Sequence, residues 1–178
     1  SPGAVAAYRI WNADGSQAQQ CGNGARCAAA WLVRDGAARS AGFLLDSPAG
    51  PVAVNALGDG RFSLDMGRPV LVAAQVPFLG GPDTVDHALD IDGASVHLGV
   101  VSMGNPHAVI EVPDLDAAPV ARLGPAVQAR SEFPEGVNVG FAQMLARDHI
   151  RLRVFERGVG ETLACGSGAC AAVVALAR

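Results

Sequence analysis

The chain is 178 residues long, half of them hydrophobic by type and 5% aromatic, and it carries a formal net charge of −4. That length admits one large domain or two small ones and readily supplies a buried core. The acidic balance gives no electrostatic reason to expect nucleic acid or an anionic membrane surface as a partner, no apolar run approaches the ~20 residues of a transmembrane helix, and four cysteines are too few for a disulfide scaffold.

Tyr8-Arg9-Ile10-Trp11 alternates in strand fashion, and Asn12-Ala13-Asp14-Gly15 is a turn cluster. Residues 25–34 (ARCAAAWLVR) read as a buried helix ended near Gly36. Strand-like segments follow at 42–46, 51–56 and 61–66, set apart by Pro and Gly turns. Their short spacing favours antiparallel hairpins over βαβ crossovers. Gly67-Arg68-Pro69 breaks the pattern and divides the chain into 1–66 and 67–178. In the second part strands are expected at 95–102, 108–112, 137–143 and 150–155, short helices at 115–122 and 125–131, and a closing helix at 169–177. Each part supplies strands and one alanine-rich helix. The expected architecture is α+β, a duplication whose two helix N-termini meet at a cleft.

Both alanine-rich helices are headed by the same phrase, Cys-Gly-x-Gly-Ala: Cys21-Gly22-Asn23-Gly24-Ala25 and Cys165-Gly166-Ser167-Gly168-Ala169. Each places a thiol where a glycine-rich turn becomes a helix. There the macrodipole and the unpaired N–H groups of the first turn favour a thiolate and can hold an anion. Two copies point to paired thiols facing one substrate. Cys27 and Cys170, inside alanine runs, read as small buried hydrophobes. The intervals Cys-x5-Cys and Cys-x4-Cys only partly overlap structural-zinc spacing, and no histidine pair stands at ligand spacing, so no metal is expected. The phosphate-loop pattern Gly-x4-Gly-Lys-Ser/Thr is absent, which leaves a carboxylate as the more economical anion. A thiol-redox or zinc-binding module is the rival from another class.

A thiolate on one face of a carbon and a thiol on the other can invert a stereocentre. One removes the α-proton and the other returns a proton from the opposite side. The α-C–H of an amino acid is a very weak acid, so N–H groups must stabilise the charge that develops on its carboxylate. Two helix N-termini would supply them, and no separate cofactor is required.

In order and spacing, the motifs along the chain resemble those of diaminopimelate epimerases. Asn12-Ala13-Asp14-Gly15 with Cys21 to Cys27 looks like that family's first active-site segment, and Met103-Gly104-Asn105-Pro106-His107 like its central one. Gly136-Val137-Asn138-Val139 and the run from Glu156-Arg157-Gly158 to Cys165-Gly166-Ser167-Gly168 complete the match. The resemblance implies an isomerase that interconverts LL- and meso-diaminopimelate without a cofactor, on the cytoplasmic route to lysine and peptidoglycan. It implies two pseudosymmetric domains, each a largely antiparallel sheet curled around a central helix. Carried over by position, Cys21 and Cys165 are the acid/base pair. Asn12, Gly22, Asn23, Asn105, Asn138, Glu156, Arg157, Gly166 and Ser167 bind substrate, and His107 and Glu156 tune the thiols. The only partner implied is the small-molecule substrate, and a homodimer is compatible with it. A racemase for another amino acid on the same scaffold is the nearest rival.

Singly, these residues have plainer uses. Asn12 and Asn138 suit turns, Asn105 before Pro106 suits a loop start, and Glu156-Arg157 suits a solvated strand end. His87, His97 and His149 match nothing in the family and read as surface or packing residues. The chain has no initiator methionine, shows no signal-peptide layout, and stops inside an apolar helical pattern. It lacks the family's opening Gly-Asn-Asp-Phe-like strand and its closing strands. It therefore reads as a fragment, with activity expected of the parent protein.

Overall fold

The computed structural model describes residues 1–12, 15, 17–39 and 42–177. The chain divides into two compact units, Ser1–Gly67 and Arg68–Arg178. The architecture is α+β, with two largely antiparallel sheets and, among the described residues, three α-helices.

In the first unit β1 (Ala4–Ala7), β2 (Phe43–Ser47), β3 (Gly50–Gly58) and β4 (Arg61–Leu64) lie in the order β1-β2-β3-β4. The β1–β2 pair is parallel and the others are antiparallel. Turn chemistry sets the hairpins. Ser47 pairs with Gly50, and its hydroxyl donates to the Gly50 carbonyl while accepting from the Ala49 N–H. Gly58 pairs with Arg61 across Asp59-Gly60, both at positive φ (53° and 72°), as a two-residue turn matched to strand twist requires. The strand expected at 8–11 lies earlier, at β1. The Tyr8 N–H still bonds the Asp46 carbonyl, but β2 ends at Ser47 and the parallel ladder has nothing further to pair with.

Helix α1 (Gly22–Arg34) buries Ala25 and Ala29 against Leu45, Val52 and Val54, with Ala28 and Leu32 beside them. That spacing of i, i+3, i+4 and i+7 is one face of a helix. The opposite face is open. Trp31 is 57% exposed, and Cys27, one turn before it, is exposed too. The helix is therefore one-sided rather than buried all round, and Cys27 is not the buried hydrophobe expected of it.

The second unit has a six-stranded sheet ordered β10-β9-β8-β7-β6-β5. Its strands are β5 (His87–Ile91), β6 (Ala94–Ser102), β7 (Pro106–Glu111), β8 (Asn138–Ala146), β9 (His149–Glu156) and β10 (Gly160–Thr162). The β7–β8 pair is parallel, and its crossover carries α2 (Val120–Gln128). Alternate residues of a strand face opposite sides. Leu98, Val100, Ala108, Ile110, Val139 and Phe141 form a core with Val120 and Val127 of α2. The other face takes α3 (Gly166–Leu176), which comes close because Gly99 is there: an added Cβ would lie 3.2 Å from the Ala175 Cβ.

In this second unit three of the elements just described differ from the sequence reading. β5 and β10 were not anticipated. The β5–β6 hairpin closes on Asp92-Gly93, again both at positive φ (55° and 80°). Instead of two short helices at 115–122 and 125–131 there is one, α2, with Pro125 inside it. Proline in a helix costs ~3 kcal/mol, but burying Val120 and Val127 contributes about 1.5–3 kcal/mol apiece and holds the helix together.

Candidate active site

Both cysteine phrases fold in the same way. Cys21 is the N-cap of α1 and Cys165 that of α3, each with extended backbone (φ −147°, ψ 99° and φ −127°, ψ 110°). Each sulfur accepts from the backbone N–H three residues on, Gly24 in one cap and Gly168 in the other, both at 3.4 Å. The sulfur thus takes the place an oxygen usually holds in such a cap. Helix geometry offers the N–H groups of a first turn no intrahelical acceptor. Gly22, Asn23, Gly166 and Ser167 occupy those turns, where an anion is favoured.

The second unit gathers its expected residues around Cys165. Ser167 Oγ lies 3.6 Å from Cys165 Sγ, 3.1 Å from His107 Nε2 and 3.3 Å from Asn105 Nδ2. His107 Nε2 is also 3.0 Å from Asn105 Oδ1. An amide oxygen can only accept, so with Asn105 oriented this way the imidazole proton sits on Nε2. The Ser167 oxygen then accepts from His107 and Asn105, and its own proton is directed to the Cys165 sulfur. Asn105, His107 and Ser167 are all buried.

A second set of bonds frames this group. Asn138 donates from Nδ2 to the Pro106 carbonyl at 3.2 Å and accepts at Oδ1 from the Arg157 N–H at 2.9 Å. It ties β8 to the start of β7 and to the turn after β9. The Arg157 guanidinium donates to the Glu135 carbonyl and lies across Gly136. Only glycine fits there, since φ is +71° and a Cβ would lie 2.7 Å from Arg157 Cδ. Glu156, beside Arg157, accepts from the Thr162 hydroxyl.

These surroundings decide protonation. Burial pushes the Cys165 thiol up, Ser167 and Gly168 pull it down by hydrogen bonding, and the Glu156 carboxylate adds to the rise by charge and by hydrogen bonding. A helix start alone would favour the thiolate; here burial and a neighbouring carboxylate outweigh it, and the thiol is favoured. His107 is lowered to about 4 by burial and, second, by the Arg157 charge, so it is neutral near pH 7. In the first unit burial raises the Tyr8 phenol, a hydrogen bond with Ser47 opposes the rise, and the charge of Cys21 adds a smaller one.

Among the other residues expected in the site, Asn23 accepts from the Arg26 guanidinium. The Asn12 carbonyl accepts from the Gly15 N–H at 3.0 Å and closes a turn ahead of α1. Ala13 and Asp14 of that turn lie outside the described residues. Among the described residues no His, Cys, Asp and Glu side chains group to hold a metal ion, and no helix is long and apolar enough to cross a membrane. Tyr8 and Thr162 escaped the sequence reading as neighbours of the cysteines. For Thr162 a signal existed: the glycines at 158 and 160 mark a hairpin that sets 156 and 162 close together.

A family model described as diaminopimelate epimerase matches residues 1–72 and 99–178. A curated protein named diaminopimelate epimerase from Xanthomonas euvesicatoria is 59% identical over 177 residues, covering 99% of this chain and 62% of the relative. One of the same name from Xylella fastidiosa is 56% identical over 175 residues, covering 98% of this chain and 62% of the relative. The chain thus spans about three fifths of the length of these relatives. Among solved structures, a probable proline racemase from Agrobacterium radiobacter with bound carbonate matches with a TM-score of 0.73 at 20% identity, covering 99% of this chain and 58% of that one. A hydroxyproline epimerase from Agrobacterium vitis with bound trans-4-hydroxy-L-proline matches with a TM-score of 0.68 at 18% identity, covering 96% of this chain and 54% of that one. At these identities the two structures speak for the fold.

Proposed function

The chain belongs to the diaminopimelate epimerase family, and we propose that it carries the two thiols of a cofactor-independent isomerase that interconverts LL- and meso-diaminopimelate. The carrying observation is the duplicated cap, in which Cys21 and Cys165 each accept from a glycine N–H at the start of a helix. The reaction belongs to the cytoplasmic supply of lysine and peptidoglycan precursors, where a reducing milieu keeps both thiols competent.

In each direction one sulfur, as thiolate, takes the α-proton and becomes a thiol. The other, as thiol, gives its proton to the opposite face and becomes a thiolate. The net reaction is inversion, and the two cysteines exchange roles for the reverse direction. First-turn N–H groups at Gly22, Asn23, Gly166 and Ser167 hold the carboxylate as charge develops on it, which lowers the barrier to removing so weak an acid. Cys165, favoured as a thiol, is suited to donate. When it must instead act as the base, the Ser167 hydroxyl, held by His107 and Asn105, is the donor that stabilises its thiolate. Asn12, Asn105, Asn138, Glu156 and Arg157 bind the rest of the amino acid, and Arg157 supplies a guanidinium fork suited to the distal carboxylate.

The test is to incubate full-length protein with LL-diaminopimelate in D2O, without added cofactor, and follow α-deuterium and the meso product. Deuterated meso product is expected from wild type, and none from Cys21→Ala or Cys165→Ala, because inversion needs a group on each face. Sustained inversion by either single variant would refute the two-thiol reading.

A further inference from the structure

Gln128 is the last residue of α2, and its side chain reaches the two segments that carry Asn138, Glu156 and Arg157. At that end of the sheet the β8–β9 ladder closes with Val139 opposite Phe155. Beyond it the strands part: Asn138 pairs with His107 of β7, and Glu156 with Gly160 of β10. In an unbroken register Val137 would face Arg157, and the two would share the next rung. Instead the Arg157 N–H goes to Asn138 Oδ1 at 2.9 Å, and the Val137 carbonyl accepts from Gln128 Nε2 at 2.9 Å. The same amide nitrogen lies 3.4 Å from the Phe155 carbonyl. An amide NH2 has two protons, so one side chain can serve both carbonyls. Gly124 stands one turn earlier on α2, where a Cβ would lie 2.6 Å from Phe155 Cγ, and its bare backbone lets the helix come up to that strand.

Carbonyl oxygens only accept, so where the ladder opens a donor from another element has to bridge them. We propose that Gln128 is a positioning residue for the substrate-binding set: it stands in for the missing rung and so holds the start of β8 and the end of β9 at the separation that the Asn138–Arg157 bond requires. Its meaning for binding rests on Asn138, Glu156 and Arg157 gripping diaminopimelate, as proposed above, whereas the placement itself can be read without substrate.

The first readout is amide hydrogen exchange in full-length protein. Gln128→Met and Gln128→Leu keep a side chain of similar size and remove the donor. In both, the Arg157 amide should exchange about tenfold faster, the net worth of one hydrogen bond, while amides in the middle of β8 and β9 keep their wild-type rates. Gln128→His, which keeps an N–H at the same distance from the backbone, should lie closer to wild type than either. An unmoved Arg157 amide in both donor-free variants overturns the proposal. So does an equal rise along the whole of both strands, which is a loss of stability and not of position. The second readout is steady-state kinetics with diaminopimelate. KM should rise severalfold in the donor-free variants with kcat within about twofold of wild type, because Cys21 and Cys165 are untouched. Faster exchange with an unchanged KM, or a loss confined to kcat, overturns the role in binding. If the wild type turns over no diaminopimelate, the functional reading fails, and exchange alone still decides whether Gln128 makes the rung.

Discussion

His107 is a titratable side chain buried almost completely, and that has a measurable consequence. Its pKa falls from the ordinary 6.5 to about 4, chiefly because an imidazolium buried under α3 would lose its hydration, and second because Arg157 repels it. Between those two values the unfolded chain binds a proton that the folded chain refuses. Stability is therefore full above pH 6.5, falls as the pH drops toward 4, and stops falling below that. At pH 5 the loss from this one group is about 2 kcal/mol. Urea unfolding at pH 7.5 and pH 5 should show that loss in wild type and not in His107→Asn. The exposed carboxylates of Asp116 and Glu161, held low by Arg151 and Arg153, titrate below this range and do not confuse the comparison. Equal losses in the two proteins would mean that His107 is protonated in the fold. The same neutrality matters for chemistry: an imidazole with one proton, given to Asn105 and Ser167, leaves the Ser167 hydroxyl free to face the Cys165 sulfur.

Among the elements, α2 is held by a close approach at Gly124. A Cβ there would lie 2.6 Å from Phe155 Cγ and 3.0 Å from Cδ1, against the body of a ring packed on the core. Alanine would raise helix propensity by about 1 kcal/mol, but forcing α2 away from β9 costs roughly 1–3 kcal/mol. Gly124→Ala is therefore expected to lower the urea midpoint, and Phe155→Leu should recover part of the loss; a Gly124→Ala protein more stable than wild type would show that α2 is not pinned there. This helix also shows where the sequence was readable and where it was not. α1 and α3 were legible because glycine, cysteine and an alanine run announce a helix start and its body. α2 was not, since Pro119 and Pro125 mask a single helix that only tertiary burial of Val120 and Val127 keeps whole. β5 was legible in principle through Asp92-Gly93, a stronger hairpin signal than the pattern of 8–11, whose Trp11 makes only an isolated bridge to Gln17. In the site, motif order singled out Asn105, His107 and Ser167, which the structure brings together beside Cys165. The direction in which Cys165 shifts could not be read, because it depends on burial and on a carboxylate brought in by β9.

On the scale of the whole molecule the two units differ in what they bury. The first builds its core from Leu45, Val52 and Val54 against two alanines of α1, with no aromatic side chain fully buried among the described residues. The second encloses Phe78, Phe133 and Phe141 along with Leu98, Val100, Val137 and Val139. A buried Phe contributes about 1.5–3 kcal/mol, so the second unit has several kcal/mol more hydrophobic stabilisation before any other term is counted. Small units also bury a smaller fraction of their surface. Opening should therefore cost less in the first unit than in the second, and a gap of about 3 kcal/mol would appear as ~100-fold in amide exchange. Gly24 and Gly168 offer a matched pair for this comparison. Each donates its N–H to a capping sulfur at 3.4 Å from the same helical position. Native-state hydrogen exchange on this chain should find the Gly24 amide exchanging much faster than that of Gly168, with β7 and β8 slowest of all. Equal protection at the two glycines would mean that the two caps open at the same cost, and that the difference in buried core does not reach the cysteines.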